Sequence, residues 1–336
     1  MQRAGCRSGR IPAFASSLVV AALAVGCGGG GDDRVGLDDA TATMYAANAT
    51  QIASDAAGVT DAGVLAAQAM VAAGAGTMAS DGRASAQAAG GQPLATSSTA
   101  CPGGGGVTVS ISGGTPESQG NGKFDTGEVY QAVYAGCTGA AGFGRLDGTL
   151  AMTVTSASGD NVNDALALAT TATDLKLTTP RGTAVLNGAT QRDLAVATDS
   201  DGTVHLSSRF VTPSVTLATN YNARSSTFTL SATDIQRTAT LVGGVLQSST
   251  ISGTHTLSGV LPNATFSFTV ATTGGATAYG PDGRPTAGAW TITLPQNLVV
   301  VTIGNATATI TIDHGKDGTV DRTITVPLPQ LDANAG

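Results

Sequence analysis

The chain has 336 residues, of which only 12% are charged and 4% aromatic, and it carries a formal net charge of -7 at pH 7. An acidic chain without a run of three basic residues is no nucleic-acid binder, because that function needs clustered Lys and Arg to displace counterions. The scarcity of aromatics also argues against an outer-membrane barrel, whose strands carry aromatic girdles at both interfaces.

The first element is a charged, then apolar, then small-residue segment. Arg3, Arg7 and Arg10 precede an uncharged stretch from Ile11 to Val25, which leads through Leu23, Ala24, Val25 and Gly26 to Cys27 and four glycines. The apolar stretch is shorter than the ~20 residues that span a bilayer, so it reads as an export signal rather than a retained helix. Cleavage after Ala22-Leu23-Ala24 would release a soluble secreted protein. Leu23 to Cys27 resembles instead the lipobox of bacterial envelope lipoproteins, with Leu at 23 rather than at 24. That resemblance implies a signal peptide over residues 1–26 and a diacylglycerol on Cys27, and Gly28 after it implies delivery to the outer membrane. Loss of the three arginines takes the charge of the remaining ~310 residues to about -10.

Residues 27–37 form a glycine-rich tether with a root-mean-square reach of about 16 Å. Residues 38–75 are alanine-rich. Asp38 and Asp61 open two periodic stretches, and Gly58 and Gly74 follow them, a pattern of N-cap and C-cap signals that predicts a short helical pair. Residues 76–100 return to Gly, Ser, Ala and Thr and read as a disordered linker.

From Cys101 the period becomes two. Leu150, Met152 and Val154 alternate with small polar residues, as do Phe228 and Leu230, then Phe266, Phe268 and Val270, then Trp290, Ile292 and Leu294. One apolar and one hydroxyl face per strand predicts antiparallel pairing with one side on a core. The expectation for residues 101–330 is a mainly β fold of roughly ten to thirteen strands, a Thr-rich antiparallel meander forming a curved sheet, half-barrel or sandwich. Ile310 and Ile312, then Asp317-Gly318, then Ile324 and Val326 mark its last hairpin.

Cys101 and Cys137 are the two cysteines left after the signal and the anchor, and in an exported compartment they are expected to pair. Closing that loop would stabilise the fold by about 4 kcal/mol in the chain-entropy model. Between them, Glu117 to Glu128 imitates the twelve-residue calcium loop, with Glu117, Asn121, Asp125 and Glu128 as candidate ligands. The other reading is a polar hairpin loop turning at Asn121-Gly122. Asp313, Asp317 and Asp321 form a second acidic cluster that reads as a solvated turn. His205, His255 and His314 stand apart, without zinc-ligand spacing, and there is no GxSxG, HExxH or P-loop. Apart from possible calcium in that loop, no cofactor is expected.

These features predict a non-catalytic protein that meets the membrane through its lipid, with a protein or lipid partner. Its curved sheet could hold an apolar or amphipathic ligand. Alternatively, a sheet core filled by side chains would suit a surface interaction or scaffold module.

Overall fold

The computed structural model describes residues 37–78, 95–119, 121–138, 144–159, 164–221, 224–243, 245–261, 264–304 and 306–335. The signal, Cys27, nearly all of the tether and most of the linker lie outside the described residues.

A single helix, α1 (Asp39–Met78), opens the fold, and fourteen strands follow it. They are β1 (Ala95–Ala100), β2 (Gly106–Gly113), β3 (Glu128–Thr138), β4 (Arg145–Gly159), β5 (Asp164–Thr179), β6 (Gly182–Thr198) and β7 (Val204–Tyr221). The second half comprises β8 (Arg224–Val242), β9 (Val245–Leu261), β10 (Ala264–Tyr279), β11 (Pro285–Thr293), β12 (Asn297–Gly304), β13 (Thr307–His314) and β14 (Arg322–Pro327). Two short helices complete the set, α2 (Pro116–Gln119) and α3 (Leu328–Asp332). All the strands form one antiparallel sheet in sequence order, the meander that the alternation predicts.

Two expectations for the region before Cys101 are corrected. The helical pair is one continuous helix of 40 residues. Asp38 does cap it, accepting the Thr41 N–H at 2.8 Å. Gly58 does not end it, since enclosure by the sheet outweighs the roughly 1 kcal/mol that a glycine costs inside a helix. The linker is also shorter than expected, because α1 continues to Met78 and Ala95–Ala100 pairs with β2 as an edge strand.

The helix is the core of the sheet rather than a neighbouring domain. Almost every residue from Ala42 to Val71 is buried, on all sides, as expected of a helix that is apolar all round. Asp39–Ala73 is long and apolar enough to cross a membrane, but 67% of its most apolar window is covered by the protein itself. The N-terminal part of α1 meets the second half of the meander, and its C-terminal part meets the first half. Tyr45 packs on Phe266 and Phe268 of β10, with ring centroids 5.5 and 4.9 Å apart. Gly63 carbonyl accepts the Tyr134 hydroxyl of β3 at 2.6 Å, and Gln68 donates to Asp164 at the start of β5. The dimensions agree: forty residues rise about 60 Å, and fourteen strands at ~4.8 Å spacing span about as much.

Burial on all sides requires the sheet to bend over the helix, and the register irregularities supply the bend. Pairing slips between Tyr134 and Cys137 in β3, Ala172 and Leu175 in β5, Gly188 and Gln191 in β6, Ser231 and Asp234 in β8, and Ala271 and Thr277 in β10. These bulges recur from β3 to β10 and form a crease across the sheet. An extra residue at a bulge turns the side-chain alternation over. In β7, Leu206, Ser208, Phe210 and Thr212 face inward before Pro213, whereas Val215, Leu217, Thr219 and Tyr221 do so after it. Both halves of a strand therefore reach the same helix.

Candidate functional site

The interior is not purely apolar. Asp61 points from α1 into the sheet at 1% exposure, and Arg192 of β6 and Arg237 of β8 meet it at 1% and 4%. Arg237 Nη1 donates to Asp61 Oδ2 at 2.9 Å, and Arg192 pairs directly with the same carboxylate. Ser208 of β7 lies between them in register, opposite Arg237. Its hydroxyl accepts from Arg192 at 3.1 Å and donates to Asp61 at 3.2 Å. Burial, reinforced by the Arg237 charge, pulls the Arg192 pKa down to about 9, and burial pulls Arg237 down to about 10. Both guanidinium groups remain protonated at neutral pH, and the Arg192 group also stacks over Phe210 at 5.1 Å.

A second polar cluster surrounds Asp55, less than two turns earlier on α1. Tyr221 donates to it at 2.9 Å, Gln51 donates at 2.9 Å, and Arg181 Nη1 lies 3.9 Å away. Desolvation raises the Asp55 pKa against the opposing pull of Arg181. Farther along, His255 of β9 donates through Nε2 to the Ala49 carbonyl at 2.6 Å. Burial lowers its pKa to about 4, so the ring is neutral at physiological pH.

The Asp61 group brings charge to a site that solvent does not reach, and the part it can play there is positional. A helix apolar on every side has little preference for one rotation or axial position in the crease. Two aspartates that must find arginines supply one, the role of register that buried polar groups fill in other helices. In sequence Asp61 reads as a cap, because an N-cap and a buried ion-pair partner use the same residue type. The arginines carried a legible signal: Arg192 shares parity with Leu194, and Arg237 with Ile235 and Ala239, so both are charged residues on the apolar face of a strand.

Cys101 and Cys137 form a disulfide, with Cα atoms 5.3 Å apart, that ties the β1–β2 connection to β3. The segment between them holds the four candidate calcium ligands. Glu128 is fully buried, and its carboxylate accepts Ser118 Oγ at 2.8 Å, the Asp125 N–H at 2.8 Å and the Tyr130 hydroxyl. Asn121 donates to Asp125, while Glu117 is exposed on α2. The loop is thus closed around Glu128 by internal donors. Among the described residues, no three or more of His, Cys, Asp and Glu are grouped to hold a metal ion.

The second acidic cluster is a hairpin turn whose aspartates accept backbone N–H groups. Asp313 takes Asp317 and Gly318 at 3.1 and 2.9 Å, and Asp321 takes His314 at 2.6 Å. His205 is exposed on β7 beside Asp199, and His314 contacts Asn297 Oδ1 through Nδ1 at 2.6 Å.

No protein-family model, curated protein or solved structure matches this chain.

Proposed function

We propose that this chain is a non-catalytic, lipid-anchored module of the bacterial outer membrane that works through its outer surface. The observation that carries this reading is α1 in the concavity of the sheet. A carrier for an acyl chain needs room on its concave face, and here that space is occupied by Ile52, Ala56, Val59, Ala66 and their neighbours.

The outward face offers hydroxyls in cross-strand pairs, such as Thr238 with Thr250 at 2.7 Å and Ser98 with Thr108 at 2.9 Å. It also holds the bidentate pair of Arg209 with Asp234, at 2.8 and 2.7 Å, beside an open concavity of about 490 Å³ lined in part by Asp193, Ser207 and Gln236. A polar, hydrogen-bonding surface on a stiff core suits a scaffold or interaction module. Anchoring rests on Leu23 to Cys27, followed by the glycine tether.

Two measurements test the two halves of the reading. Expressed in a Gram-negative host, the parent should incorporate labelled palmitate and sediment with outer membranes, and Cys27→Ser should do neither. Native mass spectrometry of the purified chain should show no lipid held in the folded domain. Equal labelling of both proteins would overturn the anchor, and a stoichiometric lipid retained within the sheet would favour a carrier.

A further inference from the structure

The short helix α3 packs against α1, β13 and β14. Arg181 lies in the turn after β5 and Arg284 in the turn after β10. These strands are antiparallel, so the two turns belong to opposite edges of the sheet. Bending at the crease brings them to one carboxylate. Arg181 Nη2 lies 3.0 Å from Asp332 Oδ1, and Arg284 Nε donates to Asp332 Oδ2 at 3.2 Å. Leu331 and Ala335 are buried beside it, and the Asn334 carbonyl accepts Asn48 Nδ2 of α1 at 3.4 Å. Beneath this segment is a cavity of about 10 Å³, about the size of one water, bordered by Thr50, Gln51, Arg181, Trp290 and Leu331.

The geometry points to α3 as a latch, a C-terminal strap that holds the two rims of the sheet together over α1 and opens without unfolding the sheet. Its attachments are few. Leu328 N–H bonds the Ala306 carbonyl at 3.0 Å, Asn48 donates to the Asn334 carbonyl, the Leu331 and Ala335 side chains are buried with Leu328 packed beside them, and the Asp332 carboxylate meets the two arginines. The strands, by contrast, are held by continuous ladders. Segments with few buried contacts open first, below the free energy of global unfolding. Arg284 is half-exposed, so its share of the clasp is open to screening by salt. The seat that α3 vacates has two guanidinium groups beside a floor of mixed character, with Ala46, Ala47 and Trp290 next to Thr50 and Gln51. It suits an acidic residue flanked by aliphatic ones, the chemistry of α3 itself.

Trp290 is the chain's single tryptophan, 1% exposed and at the cavity wall, so its fluorescence reports on the latch. In the full chain, Arg284→Gln and Asp332→Asn should each raise acrylamide quenching of Trp290 at low salt by about twofold or more, with far-UV circular dichroism unchanged. Raising salt towards ~1 M should move the parent in the same direction. Hydrogen exchange should show the amides of residues 328–335 opening at least about tenfold faster than those of β6 to β8 in the parent. The latch is overturned if Arg284→Gln, with far-UV circular dichroism unchanged, leaves quenching at the parent value at every salt concentration. It is equally overturned if the α3 amides exchange only together with the strands.

Discussion

Asp61 faces two arginines in the buried interior, and the balance of its interactions differs from that of a surface pair. Bringing three charges out of water costs several kcal/mol per ion, which their mutual attraction and the Ser208 hydroxyl must offset. The net contribution of the assembled group to stability is therefore small, whereas breaking it is expensive. Asp61→Asn would leave two buried guanidinium groups without a counter-charge, and unfolding in urea should show a loss of about 3–5 kcal/mol. Replacing the three together, as Asp61→Leu with Arg192→Met and Arg237→Met, should recover most of that loss. If the single and triple variants lose equally, the group is not acting as a unit. The contrast also bears on what was legible. A buried aspartate on an alanine-rich helix and a helix cap look alike in sequence, because the pairing that separates them runs from α1 to strands more than 100 residues away.

At the level of elements, the crease converts a flat meander into an enclosure, and Gly253 in β9 shows what this asks of the backbone. Its φ of +123° lies where side chains are disfavoured, and a Cβ there would come within 2.2 Å of the Asp234 carbonyl oxygen on β8. Gly253→Ala should destabilise the domain by about 2–4 kcal/mol through backbone strain and displacement of the neighbouring strand. Gly202, also at positive φ but in an open turn with nothing within 4 Å, serves as control, and its alanine variant should cost about 1 kcal/mol. Comparing the two thermal midpoints checks this, and equal shifts would mean that the crease is not under tight constraint. Strand identity was legible because alternation survives on each side of a bulge. The bend was not, since a one-residue phase slip such as that at Pro213 looks like the start of a new strand.

At the scale of the molecule, the sheet and α1 depend on each other. A fourteen-stranded sheet whose inner face carries Leu150, Leu186, Leu217, Leu230 and Ile310 needs a cover, and α1 is that cover. The alternation made the mainly β class and antiparallel order readable, because both follow from local pattern. It could not place the helix inside, because alanine has too little side chain to mark one face as core, and small residues are what allow a sheet to close tightly around a helix. Gly63 illustrates the fit: a Cβ there would lie 2.8 Å from the Leu150 side chain. Each buried aliphatic residue on the inner face contributes roughly 1.5–3 kcal/mol relative to exposure. Removing the cover from a dozen of them exceeds the 5–15 kcal/mol by which a domain is usually stable. Deletion of residues 39–78 should therefore abolish cooperative unfolding, leaving a chain that binds ANS and lacks near-UV circular dichroism. An excised sheet that still melts in one sharp transition would mean that β1–β14 form a self-sufficient domain with α1 as an accessory.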